Sequence, residues 1–148
     1  MNVGSLSLLF IYIKMARPQK CRRVCNPPKM EGYRPYGMSK CNLSAVILKY
    51  EEYESIRLVD YDLLPQELAS RQMNISRPTF TRIYNKALKT IAKAFVEGKA
   101  IEIEGGNFQF ESDWYRCKKC FKLVQGIENH NRCKGCESFS KDELLVIN

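Results

Sequence analysis

Histidine is almost missing from this 148-residue chain: His130 is the only one. No nucleophile, base and acid can be grouped around a second imidazole, and no glycine-rich loop of phosphate-cradling type is present. No ligand set leaves a metal an open coordination position either, so the residues argue against an enzyme. Long hydrophobic runs are absent as well. The run Leu6–Ile13 in "MNVGSLSLLFIYIK" is too short to span a bilayer, and it lacks the basic lead and small-residue cleavage site of a signal peptide. Residues 1–14 are therefore expected to be an extension or a misassigned start before Met15, with an amphiphilic anchor as the alternative. "KDEL" at 141–144 is not C-terminal and is no retention signal. Repeats at solenoid periods are lacking too.

An even cysteine count is also missing. Seven cysteines without a secretory signal argue against a disulfide framework and for a cytoplasmic protein, with thiols free or metal-bound. A local absence says most. From Ser76 to Lys93 there is no acidic residue, while Arg77, Arg82, Lys86, Lys89 and Lys93 recur among apolar residues at helical spacing.

What is present fits that pattern. The net charge of +8 favours a polyanionic partner, either nucleic acid or an anionic surface. Basic blocks at 15–36, 65–100 and 114–136 alternate with acidic ones at 49–62 and 101–113, as separate contact patches would. With 45% hydrophobic residues the chain can bury a core.

Punctuation divides the chain. Residues 15–47 hold most of the prolines and read as a basic, irregular Pro/Gly-rich arm, with "SAVILKY" as a short strand or a lead into a helix. Residues 48–99 hold three helical patterns. In "YEEYESIRLVDY", Tyr53, Ile56 and Val59 share one face and the acids are expected on the wet one. "PQELASRQM" reads as a short helix with Leu68 and Ala69 inward. Ser76 is a good N-cap and Gly98 a natural stop for a long helix between them. Residues 100–113 alternate around Gly105-Gly106 and read as a β-hairpin connector. Residues 114–140 carry four cysteines, and 141–148 form a tail.

A short helix, a tight turn and a longer helix make a helix-turn-helix, whose second helix enters the DNA major groove. Its apolar stripe would be Phe80, Ile83, Tyr84, Ala87, Leu88, Ile91, Ala92 and Phe95. Its outward positions are Arg77, Pro78, Thr79, Thr81, Arg82, Asn85, Lys86, Lys89 and Lys93, the first turns facing bases and the later lysines facing phosphate. In the arm, Arg17, Lys20, Arg22 and Arg23 suit phosphates or the minor groove, a solvated tail being the bland alternative.

"LLPQELASRQMNISRPTFTRIYNKALKTIAKAF" resembles the helix-turn-helix of sigma factor region 4. In order, "ARPQKCRRVC", "YEEYESIRLVDYDLL", this unit and "GKAIEIEGG" resemble the predicted DNA-binding family called domain of unknown function 134, over residues 15–106. The resemblance implies a mainly α, sigma-like helix-turn-helix domain that binds double-stranded DNA, with Arg77, Pro78, Thr79 and Arg82 as base readers. Pro78 departs from the polar residue usual there, and a proline offers bases only apolar contact.

"CKKCFKLVQGIENHNRCKGC" places Cys117-x2-Cys120 and Cys133-x2-Cys136 twelve residues apart. Two such knuckles supply four thiolates at tetrahedral geometry, so one structural zinc in a small ribbon is expected, with iron as the rival metal. His130 is then left as a surface residue. Cys21, Cys25 and Cys41 lack a fourth ligand for a second site. The function expected is sequence-specific DNA binding by a transcriptional regulator. The alternatives are an adaptor docking its ribbon on a protein such as RNA polymerase, and an RNA binder. Dimerisation stays open.

Overall fold

A computed structural model describes residues 20–39, 43–130 and 144–147. They form three helices and three small sheets, a mixed α/β architecture where a mainly α one was expected. The helices carry the longer periodic signal, whereas the strands are only two to four residues long.

Helix α1 (Tyr50–Ile56) continues into a π-helical turn at Arg57–Tyr61. α2 (Gln66–Gln72) follows Pro65, and α3 (Arg77–Glu97) follows Ser76. Pro78 lies in the first turn of α3, where its missing N–H costs nothing. Gly98 ends the helix at φ 64°, a left-handed conformation that glycine adopts without a Cβ clash. Ser76 does not cap through its side chain; its Oγ lies 2.8 Å from Thr79 Oγ1 instead. The turn between α2 and α3 is closed by Ile75 N donating to Ser70 O at 3.0 Å, with Asn74 at φ 55°. Below it Leu58, Ala69, Met73 and Phe80 are fully buried and join the two helices.

Strands β2 (Gly32–Tyr33), β4 (Ala100–Ile103) and β3 (Ala45–Leu48) form one sheet in that order, with β3 parallel to β4. Leu48 and Ile103 lie side by side and pack with Ala87 of α3. β1 (Arg22–Val24) pairs in parallel with β5 (Phe108–Phe110). β6 (Trp114–Cys117) is central between β7 (Leu123–Gln125) and β8 (Leu144–Ile147). The hairpin expected at 100–113 does not form: β4 and β5 enter different sheets. Gly105 and Gly106, both at positive φ, carry the chain across, and a Cβ on Gly106 would collide with the Glu51 carboxylate.

Nor is the arm irregular over residues 20–33. It is a strap laid across the helices. Arg23 N donates to Met73 O at 3.1 Å, Cys25 N to Glu54 Oε1 at 3.1 Å, and Glu31 O accepts from Ile103 N at 2.9 Å. Side-chain burial also departs from the simple wheel. Leu68 points outward, and in the last turns of α3 Ala94 is buried while Phe95 is 88% exposed and Leu88 40%. The acids of α1 are not on a wet face: Glu51, Glu52 and Glu54 are all buried. Partners distant in sequence, invisible to a helical wheel, cover them.

Candidate nucleic-acid interface and metal group

On helix α3, Arg82, Lys86, Lys89 and Lys93 share one exposed side, and Arg77 lies on a flank in the first turn. Arg77, Pro78, Arg82, Asn85, Lys86, Lys89 and Lys93 are exposed; Thr79 and Thr81 are half-buried. Thr81 Oγ1 donates to Gln66 Oε1 at 2.9 Å, tying α3 to α2. Its role is thus in joining the helices as much as in facing outward. Lys86 is not free: its Nζ lies 2.7 Å from Glu52 Oε1 of α1. No ion pair is recorded for Arg77, Arg82, Lys89 or Lys93 among the described residues.

The arm residues fall differently. Arg17 lies outside the described residues. Lys20 Nζ donates to Asn74 Oδ1 at 2.9 Å, beside the α2–α3 turn. Arg22 is largely buried and 3.8 Å from Glu51, while Arg23 is exposed and 3.6 Å from Glu111. Arg22, Lys49, Arg82 and Lys86 line a cleft of about 460 Å³, together with Glu51 and Glu52. Lys49 went unnoticed in the sequence because it reads as the end of a strand.

Glu54 organises the inner side of this surface. Fully buried, it receives the Arg57 fork through Nε at 2.8 Å and a terminal nitrogen at 2.6 Å. That bidentate bond raises the Arg57 pKa further, so the guanidinium stays charged. Burial first, then the Glu54 charge, pushes the Cys25 thiol up to about 11.

The second group sits on the ribbon. Cys117, Cys120 and His130 bring their ligand atoms within 4.8 Å of one another, and Cys120 Sγ lies 4.0 Å from His130 Nε2. Cys117 is the last residue of β6, and the chain turns back through Phe121 at φ 58°. Phe121 N donates to Cys117 O at 2.9 Å and Cys117 N to Lys122 O at 3.1 Å, which closes the knuckle. His130 is only 3% exposed, which corrects its reading as a surface residue. A signal was available: His130-x2-Cys133 has knuckle spacing of its own. Cys133 and Cys136, expected as ligands, lie outside the described residues, as does Cys41. The donor set suits a metal. Tetrahedral zinc with Zn–S near 2.3 Å and Zn–N near 2.0 Å holds sulfur and nitrogen about 3.5 Å apart, so a small inward shift brings these atoms to bonding distance. No helix among the described residues is long and apolar enough to cross a membrane.

Residues 12–111 match the model of a protein family described as protein of unknown function DUF134. The chain is 37% identical over 135 residues to a UPF0251 protein of Chloroherpeton thalassium, covering 90% of this chain and 89% of that one. It is 39% identical to one of Clostridium tetani, over 84% and 86% of the two chains. With one of Halothermothrix orenii it shares 42% identity, over 87% of this chain and all of the other. No solved structure matches.

Proposed function

The chain belongs to the DUF134 (UPF0251) family, and we propose that it is a cytoplasmic, sequence-specific binder of double-stranded DNA that regulates transcription. The observation that carries this reading is α3 itself. Over eighteen residues from Ser76 it exposes cations and no acid, and its opposite side is fixed on α2. An ordinary surface helix mixes signs, because opposite charges four apart stabilise it. Lys89 and Lys93 repel each other, Glu97 beyond Lys93 being the one acid on the helix, and a polyanion along them would relieve that repulsion.

In this arrangement the first turns of α3 enter the major groove. Arg77 and Arg82 can each offer guanine O6 and N7 a two-bond fork, while Thr79 and Asn85 reach neighbouring bases. Lys89 and Lys93 meet phosphate and release counterions. The cleft beside Arg82 and Lys49 is where the flanking backbone runs. Zinc is held by Cys117 and Cys120, with the remaining ligands drawn from His130, Cys133 and Cys136. Tetrahedral coordination by four protein ligands would leave that metal no catalytic position.

Selection from a randomised DNA pool tests the reading. A defined preferred site that Arg77→Ala or Arg82→Ala alters is expected. If both variants select the same sequence as the wild type, α3 is not the reader.

A further inference from the structure

We propose that the protein is a metal-responsive DNA binder. Occupancy of the Cys117–Cys120–His130 group by a thiophilic divalent cation of the zinc type tightens DNA binding, and Arg116 is the positioning residue that joins the two sites. The inference rests on the DNA-binding reading above and adds a ligand that controls it.

Arg116 immediately precedes Cys117 in β6 and is 7% exposed. Its guanidinium grips both sides at once. On the ribbon side it donates to Phe121 O at 3.3 Å, inside the knuckle that carries both thiols. On the strap side it donates to Pro28 O and Lys29 O, each at 3.0 Å, and its Nε lies 3.6 Å from Glu31. A buried guanidinium is satisfied only while all these acceptors stay in place, so ribbon and strap are stable as a pair.

Each end of this connection has something to respond with. At the ribbon end, Phe121 is a non-glycine residue at φ 58°, a conformation that persists only when its surroundings enforce it. Ligation of Cys117 and Cys120 is such an enforcement. Cys120 is exposed, so the group is open to exchange with solution metal. At the other end the strap is fastened to the α2–α3 turn, through Arg23 N on Met73 O and Lys20 on Asn74. That turn sets how α3 stands on α2. The strap also supplies Arg22 to the cleft beside α3. Losing the knuckle frees the Phe121 carbonyl and loosens Arg116 from Pro28 and Lys29, so the strap keeps its β1–β5 ladder but loses its hold at residues 28–31 and bears less firmly on the α2–α3 turn. Linkage makes the effect reciprocal: DNA raises metal affinity by the factor by which metal raises DNA affinity.

The test uses the full chain, zinc-loaded and metal-free. Amide exchange over residues 22–33 is followed by mass spectrometry, and affinity for a selected DNA site is titrated at fixed salt. Removing metal is expected to speed exchange in this strap and to weaken DNA binding by roughly 5–150-fold, the usual span of such coupling. Arg116→Met and Arg116→Lys should still take up one zinc, show a fast-exchanging strap even when loaded, and bind DNA with little response to metal. Equal strap exchange in loaded and metal-free wild type overturns the proposal without recourse to any variant. An Arg116→Met protein with the full wild-type response overturns the role of Arg116. Metal-dependent strap exchange with no DNA binding in either state overturns the DNA reading and leaves the coupling standing.

Discussion

Helices α1 and α3 are both densely charged, yet they spend their charge in opposite ways. α1 buries Glu51, Glu52 and Glu54 beneath the strap and the Gly106–Asn107 crossing, and each acid has a cation or a backbone N–H in reach. α3 holds Arg77, Arg82, Lys89 and Lys93 out in water. Charge in a sequence therefore does not by itself mark a surface. The acids of α1 are internal counter-ions that bring a basic strap and a basic helix together. The cations they leave uncompensated are those available to a partner.

The contrast can be broken at several points. The largest effect is expected at Glu54. Glu54→Ala leaves the Arg57 fork and the Cys25 N–H without their acceptor and should cost about 3 kcal/mol or more of stability, read from denaturant unfolding. Lys86 comes next, because it belongs to both helices. Lys86→Met takes the cation from the buried Glu52 carboxylate, which keeps the Lys49 N–H, and should cost about 1 kcal/mol, whereas Lys89→Met should stay within about 0.5 kcal/mol. Equal effects at 86 and 89 would erase the distinction between counter-ion and contact cation. Arg82→Ala should leave the unfolding midpoint unchanged and remove about 1–3 kcal/mol of discrimination at defined base pairs. Lys93→Ala should leave both stability and preference alone, and lower the slope of log affinity against log salt by about one unit.

The smallest effect concerns Cys25. Burial and Glu54 raise its thiol from 9.0 to about 11. A folded value above the unfolded one means that the neutral thiol's contribution is complete below about pH 9 and is lost as pH climbs through about 11. Alkylation at pH 8 should accordingly be slower at Cys25 than at the exposed Cys21, as peptide-level mass spectrometry would show. Glu54→Gln should narrow the gap.

Helix limits were legible because local chemistry writes them: Pro65 opens α2, Ser76 precedes α3, and Gly98 stops it. The paired cysteines likewise pointed to a metal group by spacing alone. What stayed hidden depends on residues far apart in sequence. β1 and β5 are three residues each and pair across most of the domain: the alternation at 108–110 marked a strand, but nothing local pointed to β1 or showed that β5 pairs with it and not with β4. The burial of three glutamates follows from that pairing, although the complementary charge of blocks 15–36 and 49–62 hinted at it. His130 was missed because four cysteines already filled the coordination set on paper, whereas the chain brings the imidazole to the first two.

The parallel pairing of β1 with β5 also sets when the molecule can be completed during synthesis. Arg22 N bonds to Asn107 O, a residue 85 positions later. At roughly 5–20 residues per second, the strap waits about 4–17 s after its own translation for that partner. Until then α1 has a basic strap on one side and no crossing loop on the other, and Glu51 lacks the Asn107 N–H that meets it in the finished fold. The helices can form early, but their charged interior closes only when β5 leaves the ribosome. A nascent chain stalled before residue 107 would display α3 without the cleft beside it.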